Sequence, residues 1–343
     1  MKSNYITGNI ETPVGNIEQV STVWSNRDIW STIKVRWSIG RMDYTVAPGL
    51  YAVGTPDHHS EVYVSCNFKL SFDHLRRALH GINGWILVLD TKGVNVWCAA
   101  GKGTFGTKEL VFRINKHDLT HLVSHKRLIV PQLGATGVSA YKVNEATGFK
   151  VLYGPVRAKD IPSFITSGFK ATPEMRKVMF NVWERMKLIP VELVNGRTNL
   201  LMALGVFFIL SGFNRHGFSV DSSWNNGGKA VINLCVAYFS GCILTPLLLP
   251  LIPFKNFSLK GLTVGWLLAV VLFYFGFLGT TLYEVVSWFL LIGGVSSFLS
   301  MNFTGSTTFT SLSGVQKEMK YSLPAQIGGT VLGFAGWFIT RFI

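Results

Sequence analysis

From Gly261 to Thr280 the chain reads GLTVGWLLAVVLFYFGFLGT, a run without a single charge. About 20 apolar residues match the hydrocarbon thickness of a bilayer, and helices buried in water-soluble cores rarely run so long uncharged. Beyond residue 190 the sequence predicts about five such helices. They are Asn199 to Phe213, short unless it extends back towards Val191 past Arg197; Ala230 to Ile252, with Pro246 and Pro250 near its end; Gly261 to Thr280; Leu282 to Met301; and Ala325 to Ile343. Hydrophobic residues make up 48% of the 343 and charged ones only 15%, the balance expected when much of a chain lies in lipid.

The net charge of +14 fits a basic membrane protein, and no motif of a nucleic-acid-binding fold accompanies it. Arg176, Lys177, Arg185, Lys187 and Arg197 precede the first run, and Lys255, Lys260, Lys317 and Lys320 lie in loops that share its side. The opposite loops hold only Arg215 and Lys229. Positive charge on the inside predicts a multi-pass protein of the cell (inner) membrane, with its N-terminal half in the cytoplasm. Glu284, near a helix end, is expected to snorkel to the interface. The N-terminus has no apolar signal-peptide core, and reduced cysteines are expected.

The expected organisation is an N-terminal segment 1–45 of unassigned role, an α/β domain over 46–168, a linker helix over 169–190 and a transmembrane domain over 191–343. In the linker, Thr172 can cap a helix that opens on Pro173. Met175, Val178, Met179, Val182, Met186 and Ile189 then share one face, as in a helix lying on a membrane or packing on the soluble domain. Within 46–168, strands at Trp85 to Asp90, from Leu128 and from Phe149 alternate with helices at KELVFRI and Val138 to Ala146. That alternation predicts a doubly wound parallel sheet, which binds ligands at the C-terminal ends of its strands.

Two segments follow strands in that way: NVWCAAGKGTFGT from Asn95 and PQLGATG from Pro131. If Asn95 caps a helix, Cys98 lies in its first turn, where unpaired N–H groups favour the thiolate. Lys102 falls on the same face, and Ala99, Ala100 and Gly101 leave that face clear for a broad flat ligand. Cys98 is then either a thiolate ligand to a macrocyclic metal centre or a small residue packed inertly.

Other chemistries lack their spacing. Cys66, Cys98, Cys235 and Cys242 form no C-x-x-C pair for zinc or an iron–sulfur cluster. Val96 and Gly103 stand where a phosphate loop around Gly101-Lys102 needs glycine and Ser or Thr. His117, His121 and His125 recur at helical spacing without an orienting partner for a cysteine nucleophile. Asp57-His58-His59 begins a D-x-H-x-x-G cobalamin motif, but Val62 occupies its glycine position.

NVWCAAGK resembles the cap-helix signature of the HgcA family, the membrane-bound corrinoid proteins of mercury methylation. Lys102 with the following GTFGT, the PQLGATGVSAYKV stretch and the five-run tail agree in order, so the resemblance covers roughly residues 60 to 343. It implies a Rossmann-like α/β corrinoid-binding domain with a parallel sheet, followed by an all-α transmembrane domain of about five helices. It implies Cys98 as the catalytic residue and lower axial thiolate ligand of a corrinoid cobalt. Around it, Asn95, Val96, Trp97, Ala99, Ala100, Gly101 and Lys102 form the cap helix, and Thr104, Gly134, Ala135, Thr136, Gly137 and Val138 contact the corrinoid.

The implied activity is a corrinoid-dependent methyltransferase that passes a methyl group, carbanion-like or radical, from methyl-cobalt(III) to Hg(II), forming methylmercury. A thiolate suits that direction because it pushes electron density through the metal, as in haem monooxygenases. The implied partners are an HgcB-like ferredoxin with iron–sulfur clusters as electron donor, a methyl donor protein or methylated folate, Hg(II) and membrane lipid, with no nucleic acid. Cys66 is expected to be structural, and Cys235 and Cys242 to relay mercury or simply to pack.

The soluble part is also similar to the corrinoid-binding domain of the corrinoid iron–sulfur protein of acetyl-CoA synthesis, which is not known for a cysteine at the Cys98 position. That likeness keeps open a membrane-anchored corrinoid methyl carrier of one-carbon metabolism, with mercury an incidental acceptor. A transporter with a regulatory soluble domain fits less well, since inverted repeats and paired intramembrane charges are missing.

Overall fold

The computed structural model describes residues 5–303 and 312–343. They divide into two compact units, one of residues up to Val35 with Ile39–Met179, the other of Phe180–Ile343 with Arg36–Ser38.

The first unit runs β1 (Ile6–Thr12), β2 (Gly15–Val20), α1 (Asn26–Arg36), β3 (Gly49–Val53), β4 (Val62–Cys66), α2 (Lys69–Ala78), β5 (Gly84–Leu89), α3 (Val96–Lys102), α4 (Thr107–Lys116), α5 (Leu119–Leu122), β6 (Arg127–Val130), α6 (Ala140–Thr147), β7 (Lys150–Tyr153) and α7 (Ile161–Thr166). The strands form one sheet in the order β1-β2-β3-β5-β4-β6-β7. Both faces are covered. Trp85, Leu87 and Leu89 of β5 enter one core with Val62 and Val64 of β4, while Ile86 and Val88 enter the other with Tyr63. This explains why the strands read as continuous apolar runs rather than alternating ones.

Strands β5, β4, β6 and β7 are parallel, so successive crossovers reverse direction between β4 and β6. The loops at the C-terminal ends of these strands carry both segments singled out above. The sheet is mixed rather than wholly parallel: β1 pairs antiparallel with β2, and β3 antiparallel with β5. The N-terminal segment, expected to have no assigned role, supplies β1, β2 and α1.

The second unit holds α8 (Val182–Met186), α9 (Ile189–Leu210), a short hairpin of β8 (Phe213–Asn214) and β9 (Gly217–Phe218), α10 (Val220–Phe239), α11 (Thr245–Leu248), α12 (Phe257–Tyr274), α13 (Leu282–Asn302) and α14 (Leu312–Ile339). A π turn over Ser240–Leu244 joins α10 to α11 just ahead of Pro246, whose ring disfavours regular α-helix there.

Among the described residues, four helices are long and apolar enough to cross a membrane: Val182–Leu210, Val220–Leu248, Phe257–Tyr274 and Leu282–Asn302. The expected fifth span lies in α14, which falls short because Gln326, Thr330 and glycines dilute its apolar stretch. Those polar groups are turned inward. Gln326 Nε2 donates to Ser297 Oγ at 2.8 Å, and Glu318 accepts from the Ser258 amide at 2.6 Å at one end of the bundle. At the other end Arg341 pairs with Glu284, so α14 runs the bundle's full length beside α13 and Glu284 has a partner instead of snorkelling alone.

The linker does not form one amphipathic helix. Residues 173–177 make turns, Phe180 takes a positive φ of 47°, and a new helix starts only at Val182. Asn181 caps it in a reciprocal pair with Glu184, a stronger start signal than Thr172, which accepts from the Met175 amide at 3.4 Å without a regular helix following.

Candidate functional site

The site begins one residue beyond β4. Asn67 is buried, and its Oδ1 accepts from the amides of Thr91 (3.1 Å) and Gly93 (3.0 Å). The Thr91 hydroxyl sits between Asn67 Oδ1 at 2.8 Å and the Val94 carbonyl at 2.6 Å. Gly93, at φ 73°, also lets the Met42 carbonyl approach, where a Cβ would stand 3.2 Å from it. One side chain thus folds the loop that launches α3.

Asn95 is the cap that the sequence predicts. It has extended backbone angles, and its Oδ1 accepts from the Cys98 amide at 2.9 Å. The helix stops at Gly103, whose φ of 81° suits glycine. Val96, Ala99 and Ala100 are buried in the core, whereas Cys98, Gly101 and Lys102 are exposed. Cys98 and Lys102, four residues apart, therefore share the open face. Asn95 and Trp97 are half-buried at its edge.

The turn after β6 packs directly on this helix. It opens with a 3₁₀ turn over Gln132–Gly134. A Cβ on Gly137 would collide with the Phe105 carbonyl and stand 3.0 Å from Ala100 Cα; one on Gly134 would stand 2.5 Å from the Phe105 ring. The Gly137 carbonyl accepts from the Thr107 amide at 3.1 Å, and Tyr153 Oη donates to the Val138 carbonyl at 2.6 Å. Thr104 folds back on the Ala99 carbonyl through its amide at 3.0 Å. Thr136 is exposed, Ala135 and Gly137 are half-buried, and Gly134 and Val138 are buried.

All the residues expected at the site therefore converge on one place, but they divide into two groups. Cys98, Gly101, Lys102 and Thr136 face outward, with Asn95, Trp97, Thr104, Ala135 and Gly137 at the margin. Val96, Ala99, Ala100, Gly134 and Val138 lie beneath as support.

Sequence reasoning missed Asn67, a lone asparagine after a strand with no motif around it. It also missed Arg41, whose guanidinium lies 5.2 Å from the centre of the Phe68 ring. Burial holds the Arg41 guanidinium below its usual range, and the Cys98 sulfur acts the opposite way, which places the two within electrostatic reach.

The rejected chemistries stay apart. Among the described residues no three His, Cys, Asp or Glu side chains come together to hold a metal ion. His121 pairs with Asp118 at 2.7 Å on the surface, and His125 meets the Ser60 carbonyl at 3.1 Å. His117 is kept below its usual range by burial and then by the charges of Arg113 and Lys116. Cys66 is buried at the end of β4, which raises its thiol. Cys242 is buried and Cys235 partly so in the second unit; all four cysteines are free.

Residues 32–165 match the family model of the CO dehydrogenase/acetyl-CoA synthase delta subunit. The same region is similar to the acetyl-CoA decarbonylase/synthase complex subunit gamma of Archaeoglobus fulgidus, 31% identical over 142 residues, 40% of this chain and 30% of the relative. The gamma subunit of Methanopyrus kandleri is 33% identical over 122 residues, 35% of this chain and 26% of the relative. The corrinoid/iron-sulfur protein large subunit of Moorella thermoacetica is 32% identical over 117 residues, 34% of this chain and 26% of the relative. The chain thus spans about 26–30% of the length of these relatives. The matched family region ends before α8, leaving the apolar helices outside it.

Proposed function

We propose that the first unit binds a corrinoid against the open face of α3, where Cys98 Sγ would be the protein's donor to its cobalt, in a membrane-anchored protein that hands on methyl groups. One observation carries this reading: an exposed cysteine on a helix stripped of bulk, packed against a glycine turn at the C-terminal ends of parallel strands. The residues present fit such a group. Apart from their own local backbone, no atom lies within 4 Å of where a Cβ on Gly101 or Gly103 would stand, so a flat macrocycle can approach the helix closely. Asn95, Trp97, Lys102, Thr104, Ala135 and Thr136 would border it.

When bound, a corrinoid supplies a cobalt atom that takes up and gives away a methyl group. The chain's own part is to hold the sulfur. Asn95 fixes the first turn of α3, and Val96, Ala99 and Ala100 anchor its inner face in the core. The Gly134–Val138 turn braces its C-terminal end. Lys102, on the same exposed face as Cys98, and Arg41 would contribute positive charge near the sulfur. The second unit would serve as the anchor, and the lysine and arginine distribution supports a cytoplasmic first unit.

The relatives' names favour a methyl carrier of one-carbon metabolism, handing the group to an acetyl-CoA-forming partner. A second reading rests on Cys98 itself. A thiolate donor pushes electron density onto its metal, which favours delivery of the methyl group to an electrophile such as Hg(II). Delivery of the methyl group with its electron pair to Hg(II) would consume reducing equivalents at each turnover and so call for an external low-potential donor of the ferredoxin type. Delivery as a cation to a nucleophile would call for one only to bring the cofactor to its reduced starting state. Both readings need a methyl donor, methylated folate or a protein carrying one.

The test is to load the purified full chain with an isotopically labelled methylcorrinoid and offer Hg(II) or a thiol acceptor. Labelled methylmercury that falls by about a thousandfold in Cys98→Ala supports the second reading. Transfer only to the thiol supports the first. Failure of both proteins to retain corrinoid rejects the site.

A further inference from the structure

Helix α1 sits inside out. Its buried stripe is Asp28, Thr32 and Val35, so the polar side faces the domain. Asp28 is ion-paired with Lys69 at 3.0 Å and Arg76 at 3.1 Å, and it accepts from the Ser25 amide at 3.0 Å and the Ser25 hydroxyl at 2.9 Å. Burial alone would raise this carboxyl; the bonds from Ser25 and Lys69 outweigh it and bring it down to about 2. Asp73 completes the network, bonded to Lys69 at 2.6 Å and Arg76 at 2.7 Å. A helix held this way cannot roll over without unpairing buried charges.

The opposite stripe is apolar and open. Ile29, Trp30 and Ile33 are exposed, and Ile39 and Met42 continue the patch beyond the helix. Trp30 keeps 63% of its surface in water and Met42 70%. Large apolar side chains left uncovered forgo the gain of burial, and contiguous patches of such residues mark interaction surfaces. The rim is cationic: Arg27 and Lys34 are exposed, while Asp28, the sole acidic side chain of α1, is hidden.

We infer that this face of α1 rests on a lipid bilayer bearing anionic headgroups. Tryptophan and isoleucine flanked by Arg27 and Lys34, with the helix's own acid buried and Asp43 the exposed carboxylate beyond it beside Met42, is the chemistry of an interfacial helix and complements an anionic surface. A protein groove would equally take the apolar stripe but gives no reason for the cationic rim. The inference rests on the membrane reading of the second unit. Unit one ends at Met179 and the first apolar helix starts at Val182, three residues further along the chain. The docked edge adjoins the site's support, since the Met42 carbonyl lies against Gly93, two residues ahead of the α3 cap.

The experiment places the photo-cross-linker p-benzoylphenylalanine at Trp30 or Ile33 in the full chain, in nanodiscs of phosphatidylcholine with or without phosphatidylglycerol. Leu201 of α9 and the exposed Tyr141 of the first unit serve as reference positions. The expected result is phospholipid adducts at Trp30 and Ile33 as at Leu201, with background at Tyr141. Lys34→Glu should cut the yield in anionic discs by about fivefold, since one basic residue near such a surface is worth about 1 kcal/mol. Lipid adducts at Leu201 with only Tyr141-level yield at Trp30 and Ile33 would overturn the docking while leaving the membrane reading intact. No lipid adduct at Leu201 would instead refute the membrane reading. Cross-links from Trp30 to another polypeptide would make the face a protein interface and overturn the proposal.

Discussion

Gly101 of α3 and Gly103 at its end have nothing beyond their own local backbone within 4 Å of where a Cβ would stand, whereas in the neighbouring turn Gly134 and Gly137 are closed off by Phe105 and Ala100. The two pairs look alike in the sequence, but only the first lies close to Cys98 along the chain; the second comes from the turn after β6. Their surroundings show that one pair keeps a surface clear and the other lets two backbones touch. A glycine-rich site is therefore two things at once, an open face and the joint that holds it still.

Substitution should separate the pairs. Gly137→Ala has the largest expected effect, because its Cβ would overlap the Phe105 carbonyl and crowd Ala100; denaturant unfolding should show a loss of about 3 kcal/mol. Asn67→Ala strips the acceptor from two amides and a hydroxyl in the loop ahead of α3, and should cost about 2–3 kcal/mol in the same measurement. Asn95→Ala removes the cap beside Cys98 and should cost about 1 kcal/mol. Gly101→Ala is expected to stabilise the fold by about 0.5–1 kcal/mol, as alanine does inside helices, while weakening retention of a corrinoid measured by gel filtration. If Gly101→Ala left retention unchanged, the open face would lose its meaning.

The α/β alternation was legible because β5, β6 and β7 are short apolar runs bounded by turn residues, and their observed ranges differ from the expected ones by a residue or two. The Asn95 cap was legible because capping is local chemistry. What escaped depends on contacts far apart in the chain. Nothing near Asn67 announces that its amide will reach Thr91 and Gly93. The polarity of α1 reads as weak amphipathicity until Lys69 and Arg76, on another helix, pair with Asp28.

The same holds in the second unit. Gln326 lowers the apolar score of α14, yet its partner Ser297 is on α13, so hydropathy alone undervalues the helix. The linker failed for a local reason that periodicity hides, since Phe180 leaves helical angles and Asn181 starts afresh.

The central claim is that Cys98 presents its sulfur to a metal held over the open glycines. X-ray absorption at the cobalt edge of the corrinoid-loaded full chain tests it most directly. The account predicts a sulfur neighbour along the axis in the wild type that vanishes in Cys98→Ala. A cobalt surrounded only by nitrogen and oxygen in both proteins would contradict it.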